Sequence, residues 1–142
     1  MNYLLDTCVI SELIRESPEG NVVSWISGIL ETSLYLSVLT FGEIHKGIEK
    51  LPESKRKDKL HKWVNSDLRI RFKHRIIDMN LDVATKWGQV QGRTEKIGKP
   101  MPLIDGLIAA TALSHDLIVV TRNTKDMEQS GVTMINPWIT AI

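Results

Sequence analysis

Cysteine is almost absent from this chain, since Cys8 is the only one among its 142 residues. A single thiol excludes an internal disulfide and a zinc site built from several cysteines. The four histidines show no spacing typical of metal ligands. If the protein binds a metal ion, oxygen atoms must therefore supply most of its ligands.

Long apolar runs are missing as well, because none approaches the roughly 20 residues needed to cross a bilayer. No basic segment precedes the apolar residues at the amino terminus, which predicts a cytoplasmic protein without a signal peptide or a membrane contact. A surplus of one charge sign is also absent, since the formal net charge is +1. A nucleic acid would therefore have to bind a local basic surface.

Apolar residues make up 42% of the chain, enough for the core of one globular domain spanning residues 1–142. Their spacing predicts strands at 3–5, 34–40, 75–78, 117–121 and 132–136. Helical spacing predicts helices at 9–14, 22–30, 41–51, 54–64, 81–98 and 103–115. This alternation predicts an α/β/α sandwich in which helices cover both faces of a mainly parallel sheet.

Acidic residues follow the predicted strands or open the predicted helices. Asp6 comes directly after "YLL", and Asp126 lies just past "LIVVT". Glu43 is predicted in the first turn of the helix after "YLSVL", and Asp105 in the first turn of the helix after "GKPMP". Because the carboxyl ends of parallel strands share one edge of the sheet, we expect these carboxylates to converge there.

Each acid alone has an ordinary explanation, since carboxylates cap helices and complement their positive amino-terminal ends. Asp105, however, is bracketed by apolar residues, and a buried carboxylate needs a partner. No arginine or lysine stands beside Asp6 or Asp105 in the sequence. A divalent cation would neutralise several carboxylates together, and oxygen ligands favour Mg²⁺ or Mn²⁺. Such an ion supplies the water nucleophile that phosphodiester hydrolysis requires.

Five segments that run in order through nearly the whole chain resemble PIN-domain ribonucleases, specifically the VapC- and FitB-like toxins of bacterial toxin–antitoxin pairs. The segments are "LLDTCVISEL" (4–13), "LSVLTFGEIHKGI" (36–48), "IDGLIAATA" (104–112), "VVTRNTKDM" (119–127) and "GVTMINPW" (131–138). The resemblance implies a single PIN domain and a Mg²⁺-dependent endoribonuclease in which Mn²⁺ can substitute. It also implies a homodimer bound by an antitoxin whose extended segment covers the acidic cleft.

The resemblance assigns roles to individual positions. The metal-binding acids of the family correspond to Asp6, Glu43 and Asp105. The family's fourth acid stands at the position of Asn123, of Asp126 or of both, and because Asn123 is an amide, Asp126 is the candidate.

Three further positions surround these acids. Thr7 matches the small hydroxyl residue that follows the first acid, and we expect Thr121 and Asn123 to orient this corner through hydrogen bonds. Cys8 departs from the family, which most often has Asn there. We expect Cys8 to be a small buried thiol that weakens the support of Asp6.

Basic residues are densest in "KRKDKLHK" (55–62) and "RIRFKHR" (69–75). They are either solvated surfaces or a track for the RNA backbone. The candidates for RNA binding are Lys46, Lys55, Arg56, Lys59 and Arg93. The tryptophans Trp25, Trp63 and Trp87 fall on apolar helical faces, which predicts packing in the core or at an interface.

Other functions fit the sequence less well. A haloacid-dehalogenase-type phosphatase needs a second aspartate at the position of Cys8, and a response-regulator receiver needs adjacent acids after the first strand. A dinucleotide-binding enzyme needs a glycine-rich loop there, which is missing. A PIN fold that binds RNA or protein without catalysis stays open, because Asn123 replaces an acid. The class of RNA also stays open.

Overall fold

Backbone hydrogen bonds align five short strands in the computed structural model, which describes residues 1–139. The strands are β1 (Tyr3–Leu5), β2 (Leu34–Ser37), β3 (Ile76–Ile77), β4 (Ile118–Val120) and β5 (Met134–Ile135). Their order in the sheet is β3-β2-β1-β4-β5, and every neighbouring pair is parallel. The predicted parallel α/β sheet is confirmed, and all the carboxyl ends of the strands lie at one edge.

β1 occupies the centre of the sheet, between β2 and β4. Tyr3 is in register with Leu34 on one side and with Ile118 on the other. Leu4 and Leu5 are both fully buried, and each belongs to a different apolar cluster because successive side chains point to opposite faces. Burial on both faces explains why the strand is a continuous apolar run.

Helices cover both faces of the sheet. They are α1 (Thr7–Leu13), α2 (Gly20–Ser27), α3 (Val38–Glu49), α4 (Lys55–Lys62), α5 (Leu68–Arg71), α6 (Leu81–Lys96), α7 (Leu103–His115) and α8 (Thr124–Met127). A π-helical turn, Trp63–Asp67, joins α4 to α5. Helices α1 to α5 contribute to the cluster that contains Leu5, whereas α7 and α8 contribute to the cluster that contains Leu4, and α6 packs on α7. Within residues 1–139, no helix has the length and apolarity needed to span a bilayer.

The second strand is shorter than predicted. β2 ends at Ser37, and residues 38–40, predicted as strand, form the first turn of α3. The Ser37 hydroxyl accepts a hydrogen bond of 3.0 Å from the backbone N–H of Leu39 and so caps the helix. The prediction of Glu43 in the first turn is therefore wrong, because it lies in the second turn of α3.

The apolar residue that opens α6 lies outside the buried face of the helix. Leu81 is 80% exposed, although Val83, Val90 and Gln91 on the same helix are buried. Leu81 precedes Val83 by two positions, about 200° around the helix axis, so both cannot face α7. The predicted helix is correct, but its buried face starts at Val83.

Candidate active site

Asp6 stands where β1 ends and α1 begins, and its side chain is only 3% exposed. Its Oδ1 accepts a hydrogen bond of 2.8 Å from the backbone N–H of Thr7, so Asp6 caps α1. Its Oδ2 accepts a hydrogen bond of 2.8 Å from the Thr121 hydroxyl at the end of β4. Burial raises the pKa of Asp6 despite these hydrogen bonds. The carboxylate is thus fixed from two strands.

Cys8 lies between Asp6 and the end of β4. Its Sγ is 3.7 Å from both Asp6 Oδ2 and Thr121 Oγ1, and it accepts a hydrogen bond of 3.5 Å from the backbone N–H of Arg122. Burial and the negative charge of Asp6 raise the pKa of Cys8 to about 11. The residue is therefore a thiol, as predicted, and joins α1 to the loop after β4.

Glu43 reaches this corner from α3. Its Oε1 accepts a hydrogen bond of 2.6 Å from the Thr7 hydroxyl, which also lies 3.2 Å from the hydroxyl of Thr40. Thr7 therefore lies between two acids, with its backbone N–H on Asp6 and its hydroxyl on Glu43. The packing of α1 on α3 brings Glu43 here in spite of its later position in the helix.

Asp105 completes the cluster from the first turn of α7. Burial, and after it the negative charges of Asp6, Asp126 and Glu43, together raise the pKa of Asp105 to about 6. Asp126 is exposed in the first turn of α8. The four carboxylates are thus close enough to repel one another, and we call Asp6, Glu43, Asp105 and Asp126 the acid cluster.

The acid cluster has no basic partner in the described part of the chain. The ion pairs there join Glu12 to Arg15, Glu53 to Lys57, and Glu31 to Arg71 and Arg75, so none involves the cluster. Across residues 1–139, no three His, Cys, Asp or Glu side chains stand at the spacing of a metal site. The donors are carboxylate oxygens, which suit Mg²⁺, but the half-buried and exposed members would have to rotate to share one ion.

The loop after β4 is held by Thr121. The hydrogen bond predicted for Thr121 is present, and its Oγ1 also accepts one of 2.9 Å from the backbone N–H of Asn123. The Asn123 side chain is exposed and does not cap α8. Asn123 therefore contributes its backbone to this corner.

Comparison with known proteins agrees with this geometry. The family model described as the PIN domain matches residues 3–129. The chain belongs to the PIN domain family. The predicted resemblance is thereby confirmed, and the parallel sheet of this PIN domain is the expected one.

Several known proteins are similar to this PIN domain over nearly its whole length. Toxin FitB of Neisseria gonorrhoeae is 36% identical over 135 residues, which cover 95% of this chain and 97% of that protein. The VapC ribonuclease Y4jK of Sinorhizobium fredii is 33% identical over 135 residues, or 95% and 96% of the two chains. The structure of FitAB bound to an IR36 DNA fragment superposes with a TM-score of 0.92 at 34% identity, covering 99% of this chain and 98% of that one.

The first basic stretch of the PIN domain divides into free and paired residues. Lys55, Arg56 and Lys59 are exposed on α4, whereas Lys57 is buried and donates to Glu53 Oε1 at 2.9 Å. Arg56 also lines a groove of about 240 Å³ whose other walls include Thr7 and Glu43. This groove connects the exposed face of α4 to the acid cluster. Lys46 and Arg93 are exposed on α3 and α6.

The second basic stretch is partly structural. Arg71 Nη2 lies 3.0 Å from Glu31 Oε1, and Arg75 Nη2 lies 3.1 Å from Glu31 Oε2. Arg75 also donates to the carbonyl oxygen of Leu34 at 2.6 Å. Although partial burial opposes ionisation of Glu31, hydrogen bonds and charge from the two arginines lower its pKa. Arg71 and Arg75 therefore stabilise the entry to β2, whereas Arg69 and Lys73 of this stretch are exposed and form no ion pair among residues 1–139.

Trp25, Trp63 and Trp87 all pack against other elements, as predicted. Trp25 and Trp63 are partly buried against the core cluster of α1 to α5, and the Trp25 ring meets Tyr3 edge-on with centroids 5.1 Å apart. Trp87 is buried at its Nε1, which finds no hydrogen-bond partner among the described residues.

Sequence reasoning missed one buried acid. Glu12 is only 5% exposed and accepts hydrogen bonds from the backbone N–H of Glu19 at 3.1 Å, from Arg15 at 3.3 Å and from the Trp138 indole at 3.4 Å. The Glu19 hydrogen bond is the main cause that lowers the pKa of Glu12. Only its (i, i+3) spacing from Arg15 was a signal in the sequence.

Proposed function

We propose that this PIN domain is a metal-dependent endoribonuclease and the toxin of a toxin–antitoxin pair. The relatives named Toxin FitB and VapC ribonuclease Y4jK support the proposal through similarity over nearly the whole chain. The observation that carries it is the half-buried Asp105 beside three other carboxylates. Burial first, and then the charges of Asp6, Asp126 and Glu43, raise its pKa to about 6, and no Arg or Lys among residues 1–139 pairs with it. Such an arrangement costs stability unless a cation is bound.

The residues of the chain have distinct roles in this proposal. Asp6 is held by Thr7 and Thr121, and Glu43 is held by Thr7, so these two carboxylates are oriented before any ligand arrives. Asp105 is half-buried and Asp126 is exposed, and both would adjust to share the ion. Mg²⁺, or Mn²⁺ in its place, would supply a bound water as nucleophile and neutralise the scissile phosphate.

The antitoxin in this proposal acts on the same groove. A segment of a partner protein with a basic side chain can neutralise the acid cluster and exclude RNA, because several carboxylates there lack a counter-charge. We propose that such a segment enters along the groove that Arg56 shares with Glu43. The homodimer implied by the family resemblance is part of the same proposal.

The test is cleavage of single-stranded RNA by the purified protein with Mg²⁺, with Mn²⁺ and with EDTA. We expect cleavage with either ion and none after chelation, because the proposed ligands are all oxygen atoms. Asp105→Asn serves as the control for a contaminating nuclease and should not cleave. Activity that persists through exhaustive chelation would overturn the proposed mechanism. Tight RNA binding without cleavage under any condition would instead favour a PIN fold that only binds.

A further inference from the structure

We infer that Arg122, held on the ring of Trp138, binds a phosphate of the RNA strand at the rim of the acid cluster. The inference rests on the proposed function, since it names a contact that positions the RNA substrate of the same site. Neither residue belongs to the acid cluster or to the basic stretches of α4 and α5.

The backbone of Arg122 is tied to the active site. Arg122 follows Thr121 directly, and Thr121 donates its hydroxyl to Asp6. The backbone N–H of Arg122 donates to Cys8 Sγ at 3.5 Å, and Cys8 is within 3.7 Å of the same Asp6 oxygen. A strand that presents a phosphate to Asp6 therefore passes within reach of the Arg122 side chain.

The charge of Arg122 is available to a ligand. Its side chain is exposed, and no Asp or Glu of residues 1–139 lies within ion-pair distance of its guanidinium. Arg15, Arg71 and Arg75 are, by contrast, each paired with a glutamate. No side chain among residues 1–139 neutralises the charge of Arg122, although the acid cluster is close to its backbone.

The guanidinium is pre-organised on an aromatic ring. Its central carbon lies over the Trp138 ring at 4.6 Å from the centroid. Trp138 is itself fixed, because its backbone N–H donates to Asn136 Oδ1 at 3.0 Å and its indole N–H donates to Glu12 Oε1 at 3.4 Å. A guanidinium that stacks its face on a ring keeps the N–H groups along its own edge free to donate. Two of these parallel N–H groups match the spacing of two phosphate oxygens.

The acid cluster explains why RNA binding would need a cation beside it. Carboxylates repel the RNA backbone wherever metal does not neutralise them, so a cation at the rim must hold the neighbouring phosphate. The competing explanation is that Arg122 only fastens the segment of Trp138 to the end of β4. That structural role predicts a loss of stability without any change in RNA binding.

The test measures binding of a short fluorescent single-stranded RNA in EDTA, where the proposed reaction stops, over a series of salt concentrations. Arg122→Gln should weaken binding about tenfold and lower the slope of log affinity against log salt by about 0.7, the value of one phosphate contact on a single strand. The control Lys96→Gln removes the same charge from the exposed last turn of α6 and should leave the slope unchanged. Arg122→Lys should keep the slope while losing part of the affinity, because it retains the charge without the planar fork.

Two results would overturn the inference. In the first, Arg122→Gln keeps the same slope of log affinity against log salt as the parent, whatever happens to its melting temperature. In the second, RNA binding by the parent does not depend on salt. With Mg²⁺, removal of this interaction should raise KM and leave kcat nearly unchanged, since ground state and transition state share it. If the parent never cuts RNA but Arg122→Gln lowers the slope of log affinity against log salt, the proposed nuclease is refuted and the phosphate site stands. If the parent cuts RNA but Arg122→Gln has the same slope and the same KM as the parent, the phosphate site is refuted and the proposed nuclease stands.

Discussion

Asp105 is the residue in which function and stability conflict most directly. We expect Asp105→Asn to abolish RNA cleavage, because a proposed metal ligand is lost while the shape is kept. Without metal, the variant should be as stable as the parent or more stable by roughly 1 kcal/mol, because repulsion within the acid cluster falls and water screens part of the gain. Thermal unfolding in EDTA, beside a cleavage assay, measures both effects.

Metal should reverse the order of stability. Added Mg²⁺ should raise the melting temperature of the parent by binding its folded state and raise that of Asp105→Asn much less. Asp126→Asn should change in the same direction by a smaller amount, because Asp126 is exposed. If Asp105→Asn is strongly destabilised without metal and its folded fraction still cuts RNA, Asp105 is a structural cap and the metal site lies elsewhere.

The pKa of Asp105 also predicts how stability changes with pH. In the folded protein the pKa is raised to about 6, whereas 3.8 is its ordinary value. Between these values the folded state holds a proton that the unfolded chain has lost, so stability falls as the pH rises from about 4 to about 6. The metal-free parent should therefore gain more stability than Asp105→Asn when the pH is lowered from about 7 to about 5.

The range between about pH 5 and about pH 7 separates the titration of Asp105 from that of the other carboxylates. Burial raises the pKa of Asp6 as well, and because burial is the main cause, parent and variant share most of that contribution. Glu12 and Glu31 have lowered pKa values, so their stabilisation is lost only below the ordinary value of 4.5. The measurement is the difference in melting temperature between the two pH values in EDTA. Equal differences for parent and variant would contradict the raised pKa.

Sequence position predicted that all four acids would converge, although it misplaced Glu43 within its helix. Asp6 and Asp126 follow parallel strands and Asp105 opens a helix, so their common edge could be deduced from the strand and helix order. The route of Glu43 needed tertiary information, since the packing of α1 on α3 brings it to Thr7 from a second turn. Glu12 could not be predicted, because its partners include a backbone N–H and a distant indole.

Among the elements, the packing of α6 on α7 offers the most direct test. A Cβ on Gly106 would lie 3.0 Å from Gln91 Oε1 and 3.4 Å from Trp87 Nε1. Gln91 cannot easily move, because it is buried and its Nε2 donates to the carbonyl oxygen of Met101 at 3.1 Å. Gly106→Ala should therefore destabilise the protein, although alanine favours a helix by about 1 kcal/mol over glycine.

Gly92 provides the matched control on α6. It is exposed, and nothing lies within 4 Å of the Cβ it would carry, so Gly92→Ala should increase the free energy of unfolding by up to about 1 kcal/mol. Denaturant unfolding of both variants gives the two signs directly. An equal gain in both would mean that α6 and α7 are not as close as the structure has them.

Elements that are buried on all sides were the easiest to predict. The apolar runs at 3–5 and 117–121 contain β1 and β4 because both faces of these strands are covered. The predicted boundary between β2 and α3 was wrong for the opposite reason, since the apolar pair Val38 and Leu39 suits a strand as well as a helix. There the Ser37 hydrogen bond decides the structure, and apolar spacing does not record it.

At the scale of the whole molecule, the exposed face of α4 should set the salt dependence of RNA binding. Charge reversal of Lys55, Arg56 and Lys59 together should weaken binding and lower the log–log slope by about 0.7 for each phosphate that the protein no longer binds. The groove from Arg56 to Glu43 is the physical reason, because it connects this face to the acid cluster. Binding of single-stranded RNA in EDTA across salt concentrations is the measurement.

The control must change the charge of the molecule equally. Reversal of Lys50, Lys96 and Lys99 does so at three exposed sites outside both basic stretches. An identical fall in slope for both sets would show that only net charge matters, and an unchanged slope for the α4 set would make it an ordinary solvated surface. Sequence alone could not separate these cases, just as it could not show that Arg71 and Arg75 are paired with Glu31.

The two outer strands of the sheet, β3 and β5, are each two residues long. An edge strand this short offers very few unpaired backbone N–H and C=O groups to a strand from another molecule. Aggregation by edge-to-edge pairing needs a longer template, so crowded copies of this chain have little opportunity to polymerise through their sheets. The edges of this sheet therefore give a second copy of the chain little backbone to pair with.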